Sequence, residues 1–216
     1  MKAATKTRDR IAETARILFN EQGYGAVSTA ALAAACGIAE GNLWYHYKTK
    51  RALLDAIGER FAAAIEARLA MRPAGDPVSD YAALVAAMMG EFRDFRFLYR
   101  DQQSYGEHAE VVRANAPEWT RLTFDQLETY LAALVDAGAL DWPRERLRDL
   151  AINATIILRY GLEHYREMGE ATGSGTGSVQ RTLRRHLTLF EHRLSPEAAE
   201  RLHAAIARIE GTALAA

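Results

Sequence analysis

A chain of 216 residues, 49% hydrophobic and 25% charged, holds enough apolar material for one large domain or two smaller ones, which excludes a disordered polypeptide. No apolar run approaches the roughly 20 residues of a membrane span; the single cysteine, Cys36, excludes an internal disulfide; and the basic start (Lys2, Lys6, Arg8, Arg10) lacks the apolar segment of a secretory signal, so a cytoplasmic protein is expected. The net charge of −1 hides an asymmetry: residues 1–60 carry nine Lys or Arg against six Asp or Glu, which is either chance at so small an excess or a basic end meant for phosphate.

Apolar residues recur at helical spacing throughout and no segment sustains a period of two, so the expected fold is all-α with nine or ten helices. Ile11, Ala12, Ala15, Leu18 and Phe19 predict a helix over residues 7–22, stopped by Gly23. Ser28 reads as the N-cap of a short helix over 29–35. A turn through Cys36, Gly37, Ile38 and Ala39 follows, with Gly37 free to adopt the left-handed conformation, and a third helix occupies 40–47. Two short helices about a tight glycine turn are a helix-turn-helix. Leu43 and Tyr47, four apart, face the core and leave Glu40, Asn42, Trp44, Tyr45 and His46 outward, an aromatic exposure that is costly unless a partner covers it. Cys36 reads as packing rather than a redox switch.

A helix from Lys50 to about residue 71, with Leu53, Leu54, Ile57, Phe61 and Ile65 on one face, connects a small domain (1–49) to a larger helical one (50–216). Beyond the Pro73–Pro77 break lies an aromatic and methionine-rich section. Met88, Phe92, Phe95, Tyr99, Gln103, His108, Trp119 and Phe124 are its candidate effector-pocket residues, with plain core packing as the open alternative. Two amphipathic helices, 144–168 and 178–193, follow on either side of a Gly-Ser-Gly-Thr-Gly linker. Ala151, Ala154, Leu158 and Gly161 form one stripe and Leu183, Leu187 and Phe190 its counterpart; the stripes serve either a dimer interface or an intramolecular core. A last helix is expected over 195–210.

Catalysis finds no support. The six histidines never form His-Glu-x-x-His, one cysteine cannot nucleate a zinc site, and there is no Gly-x-Ser-x-Gly elbow. The glycine-rich linker lacks the preceding strand and following Lys-Ser/Thr of a phosphate loop. No catalytic residue, metal ligand or cofactor is assigned.

The run from Lys6 to Ile11, the Leu18-Phe19 pair, Gly23-Tyr24, Ser28-Thr29 and the stretch from Gly37 to Lys50 together resemble the DNA-binding domain of tetracycline-repressor (TetR) family regulators, over about residues 6–57. The resemblance implies a homodimeric repressor that sets its third helix in the major groove of a palindromic double-stranded operator and is released by a small apolar or acyl-type effector. It carries over Ser28, Thr29, Ala39, Glu40, Gly41, Asn42, Trp44, Tyr45, His46 and Lys50 as DNA-binding positions. Asn42 suits adenine, Glu40 either accepts from cytosine N4 or only caps its helix, and His46 and Lys50 anchor on the backbone. The basic N-terminus is either a minor-groove arm or a solvated tail. Ala39 and Glu40 depart from the polar and basic residues common there, which leaves open a helical ligand-binding or scaffold protein that keeps the fold without sequence-specific DNA binding. The stretch from Arg96 to Asp101 is also similar to a subgroup that includes regulators of polyhydroxyalkanoate metabolism.

Overall fold

The computed structural model describes residues 2–105, 108–173 and 175–209, with the side chains of 2–5, 102 and 103 left aside. Among these residues the chain forms eleven α-helices: α1 Lys2–Gln22, α2 Thr29–Ala35, α3 Glu40–His46, α4 Lys50–Leu69, α5 Pro77–Asp94, α6 Arg96–Arg100, α7 Gln102–Tyr105, α8 Glu110–Asp136, α9 Leu147–Glu167, α10 Ser178–Leu187 and α11 Pro196–Arg208. Two 3₁₀ turns, Arg144–Arg146 and Glu191–Arg193, complete the described structure, and a lone antiparallel bridge joins Leu140 to Leu194. The fold is all-helical, as the periodicity implied. The count exceeds the expected one because α6 and α7 are pieces of about one turn, too short to show a period. The first helix starts at Lys2, five residues ahead of the expected start, so the basic N-terminus is helical over its described length. Arg10 donates to the Cys36 carbonyl at 3.0 Å and the Arg8 guanidinium lies 5.0 Å from the Tyr47 ring centre.

The helices sort into two compact units, residues 1–66 with 94–117, and 67–93 with 118–216. The first is wider than the 1–49 domain read from the sequence, because α6 and α7 are tied to α1. Asn20 accepts from the Phe97 amide at 3.1 Å and donates to the Asp94 carbonyl at 2.8 Å. Arg100 donates to the Phe19 and Asn20 carbonyls at 3.1 Å each, satisfying the C-terminal turn of α1 with a cation, where the helix dipole favours one. Its neighbour Asp101 accepts from the Tyr24 amide at 2.9 Å. The Arg96–Asp101 stretch is therefore a clamp on the end of α1. Phe19, Tyr24, Phe97 and Tyr105 pack beneath it, with ring centres 5.1–6.3 Å apart.

In the second unit Tyr81, Leu84, Val85 and Met88 of α5, Leu127, Leu131 and Leu134 of α8, and the inner faces of α9, α10 and α11 are buried. Here the reading of Ala151, Ala154, Leu158, Gly161, Leu183, Leu187 and Phe190 as a dimer interface is corrected. Ala151, Ala154, Leu158, Leu183, Leu187 and Phe190 are all buried within a single chain. Gly161 lies against α10 so closely that a Cβ there would sit 2.3 Å from Thr182 Cγ2. The stripes pack within the one chain, along the seam between α9 and α10, the alternative that periodicity leaves open.

Candidate nucleic-acid interface and ligand cleft

Local chemistry builds the exposed end of the first unit. Ser28 Oγ accepts from the Ala31 amide at 3.1 Å and starts α2. The chain turns at Gly37 with φ +62°, in the left-handed region, and re-enters helix at Glu40. Leu32, Ala33 and Cys36 of the α2 segment meet Leu43 and Tyr47 in a shared core, and the Tyr47 hydroxyl donates to the Arg8 carbonyl at 3.2 Å. With those side chains inward, Ala39, Glu40, Gly41, Asn42 and Tyr45 are exposed, Tyr45 by 74%, while Trp44 and His46 are half-buried. The Tyr45 and His46 rings meet edge to face at 5.2 Å. No neighbour comes within 4 Å of a Cβ added to Gly41, so a broad surface could close onto that backbone.

Three of the positions expected to bind DNA, Thr29, Glu40 and Lys50, have partners that the sequence did not suggest. Thr29 Oγ1 donates to Glu40 Oε1 at 2.6 Å, tying the first turn of α2 to the first turn of α3. Lys50 turns inward: its ammonium donates to the Tyr24 carbonyl and lies 4.3 Å from the Tyr24 ring centre, and burial lowers its pKa. This geometry sets Lys50 apart from the phosphate anchors read from the sequence, whereas Lys48, two residues earlier, is exposed.

The eight effector-pocket candidates do not come together within either unit. Met88, Phe92 and Trp119 are buried in the second unit, and half-buried Phe124 there holds the Arg148 guanidinium 5.5 Å from its ring centre. Phe95 and Tyr99 pack on Phe61 in the first unit at 5.3 and 5.2 Å. His108, half-buried in that unit, has a buried Nδ1 without a hydrogen-bond partner, and the Gln103 side chain lies outside the described residues. Within the second unit a cleft of about 340 Å³ opens between the end of α4 and α8, lined by Leu69, Met71, Arg72, Leu122, Asp125, Gln126, Thr129 and Tyr130. None of the eight lines it. Its residues are mostly unremarkable in sequence; the available signal was the row Leu122, Gln126, Thr129 and Tyr130 at helical spacing.

Below the cleft is a buried polar cluster that sequence reading missed. Arg68 Nε donates to Glu91 at 2.7 Å, Nη1 to Gln126 Oε1 at 2.9 Å and Nη2 to Thr123 Oγ1 at 3.0 Å. Gln126 Nε2 donates back to the Arg68 and Met71 carbonyls at 2.7 and 3.1 Å. Among the described residues no group of three His, Cys, Asp or Glu side chains is placed to hold a metal ion, and no helix is long and apolar enough to cross a membrane.

Comparison with known proteins agrees with this geometry. Residues 11–57 match the family described as bacterial regulatory proteins, tetR family, and residues 60–202 match TetR, described as bacterial transcriptional repressor. The HTH-type transcriptional regulator UidR of Escherichia coli K12 is 41% identical over 54 residues, which span 25% of this chain and only 28% of that relative's length. A TetR-family transcriptional regulator from Marinobacter aquaeolei VT8 superposes with a TM-score of 0.73 at 22% identity, covering 94% of this chain and 98% of that one. CprB from S. coelicolor A3(2), a TetR family protein, gives 0.68 at 18% identity over 97% and 98%. AibR, solved in complex with isovaleryl coenzyme A and operator DNA, gives 0.58 at 19% identity over 85% and 98%.

Proposed function

Because this chain belongs to the tetR family of bacterial regulatory proteins, and is a DNA-binding transcriptional regulator rather than an enzyme, we propose that it is a cytoplasmic repressor. It binds a palindromic operator as a homodimer and leaves it when a small apolar or acyl-type effector binds. The observation that carries the DNA reading is α3 itself: a short helix seated by Leu43 and Tyr47 that turns Glu40, Gly41, Asn42 and Tyr45 to solvent. Asn42 pairs with an adenine edge in the major groove; Ser28, Trp44, Tyr45 and His46 meet sugar and phosphate; Ala39 and Gly41 let the backbone approach. Lys48 supplies the phosphate anchor, because Lys50 is engaged with Tyr24.

Selection of bound duplexes from a random library, followed by titration of the winner across salt concentrations, tests this reading. A palindromic consensus whose affinity falls steeply with salt supports it. No enrichment would leave a helical ligand-binding or scaffold protein, a reading favoured by the absence of Lys and Arg from α3. On the selected duplex, Asn42→Ala is expected to lose roughly 1–3 kcal/mol, with little change on random DNA. Equal losses on both would remove Asn42 as a base reader.

The dimer face we assign is the side of α9 turned away from α10. Ile152, Ile156 and Tyr160 recur there at four-residue spacing, with Ile156 57% and Tyr160 50% exposed, the apolar exposure that a second copy would cover. Ile156→Arg is expected to give a folded monomer by sedimentation, with operator affinity reduced at least tenfold, since a single reader loses half of a two-site contact. A variant that stays dimeric places the interface elsewhere.

The effector is assigned to the second unit, where the cleft between α4 and α8 has apolar walls in Leu69, Met71 and Leu122 and polar groups in Arg72, Gln126 and Tyr130. AibR's isovaleryl coenzyme A is the precedent for an acyl-type ligand on this fold, and the likeness of the Arg96–Asp101 stretch to polyhydroxyalkanoate regulators points the same way. Both α4 and α8 contribute residues to both units, so a ligand that favours one placement of these helices can bias the reading end. A tightly bound effector that leaves operator affinity unchanged at fixed salt contradicts release.

A further inference from the structure

The recognition surface carries a carboxylate where a polyanion must dock. Glu40 is exposed at the first turn of α3, whose remaining exposed positions, Gly41, Asn42 and Tyr45, bring no positive charge to offset it. A freely rotating carboxylate could swing away from phosphate, but this one is held: Thr29 Oγ1, itself on a half-buried side chain, donates to Glu40 Oε1 at 2.6 Å across the helix-turn-helix. Holding it fixes one oxygen and leaves the other with acceptor capacity. An ionised carboxylate only accepts. In the major groove cytosine presents a donor, its N4 amino group, whereas guanine and thymine present acceptors and adenine sets an acceptor beside its donor.

We infer that Glu40, positioned by Thr29, is a specificity residue that selects a cytosine in each operator half-site and weakens binding to every other sequence by repelling phosphate. This deepens the repressor reading and rests on α3 entering the major groove. The two effects act together: the charge that costs affinity on random DNA is offset where N4 meets it, so the ratio of specific to random binding widens. Thr29 is a positioning residue in this scheme, since its hydroxyl contributes through the orientation of the carboxylate.

The test is sequence selection with wild type, Glu40→Gln, Thr29→Val and Thr29→Ser, alongside thermal unfolding of each. Glutamine retains an acceptor for Thr29, so the fold is kept, and adds a donor that suits adenine. The expected result for Glu40→Gln is a shift of one symmetric position per half-site from cytosine to adenine, with preference for cytosine there falling about tenfold or more and random-DNA binding tightening several-fold. Thr29→Val is expected to blur the same position alone and Thr29→Ser to restore it. If Glu40→Gln selects the wild-type consensus with unchanged discrimination while only its melting temperature moves, the Thr29–Glu40 bond is a structural tie and the inference fails although the repressor reading stands. If wild type itself enriches nothing, the repressor reading fails and this inference with it.

Discussion

Glu91→Leu is expected to destabilise the protein by roughly 3–5 kcal/mol, the scale of a charge stranded in an apolar interior. Arg68 and Glu91 are buried to the point that their side chains keep 4% and 3% of their accessible surface, and their ion pair spans 2.7 Å. One guanidinium reaches three helices: it leaves α4, meets Glu91 on α5, and donates to Thr123 and Gln126 on α8. Gln126 returns two N–H donors to the Arg68 and Met71 carbonyls, at and just past the end of α4, where the Met71 amide and the Arg72 guanidinium also donate to them. Truncating the glutamate leaves a desolvated cation with neutral acceptors only. For a chain of this size the corresponding drop in melting temperature is about 10 °C or more. The double variant Arg68→Met with Glu91→Leu is expected to regain much of the loss, because apolar side chains of similar volume replace the whole pair. A loss under about 1 kcal/mol for Glu91→Leu would mean that water reaches the cluster and screens it.

The parts of the fold that were legible in the sequence are those fixed by neighbours in the chain. Ser28 as an N-cap, Gly37 at positive φ, and Leu43 with Tyr47 as the buried pair of α3 each follow from rules spanning four residues or fewer, and all three stand in the structure. That is why the helix-turn-helix is legible in outline from the sequence. What escaped was pairing across long stretches of chain. Nothing local to Asn20 announces that it bonds to Phe97, or that Asp101 holds Tyr24, so the packing of residues 94–117 with α1 does not show in the sequence.

The stripe on α9 shows a different limit. Periodicity reports that a face is covered and is silent on what covers it. Two apolar faces share this helix; the Ala151–Ala154–Leu158 face is occupied by α10 of the same chain, and the Ile152–Ile156–Tyr160 face is the one left to solvent. Small residues on a helix suit close approach to any neighbour, and here they record that of α9 to α10. The Thr29–Glu40 bond was likewise invisible, because both residues suit exposed helix starts and nothing in the sequence says that the two starts meet.

Acidification is expected to unfold the protein through His186. The ring lies wholly buried on α10, its Nε2 2.8 Å from the Tyr81 hydroxyl, and its Nδ1 has no hydrogen-bond partner. Burial lowers its pKa to about 3 and pushes that of Tyr81 well above the usual phenol range, so both are neutral in the folded state. In the unfolded chain the imidazole regains its ordinary pKa of about 6.5. Below that pH the unfolded state binds a proton that the folded state refuses, so stability is complete above about pH 6.5 and falls until the folded-state pKa is reached. The loss from this one group is about 2 kcal/mol at pH 5 and approaches roughly 5 kcal/mol near pH 3. Denaturant titrations of wild type and His186→Gln between pH 7.5 and 5 separate this contribution from that of the carboxylates. The glutamine variant starts less stable, having traded a packed ring for an amide, but its stability declines less over that interval. Parallel declines would show that the imidazole gains solvent before the unit unfolds.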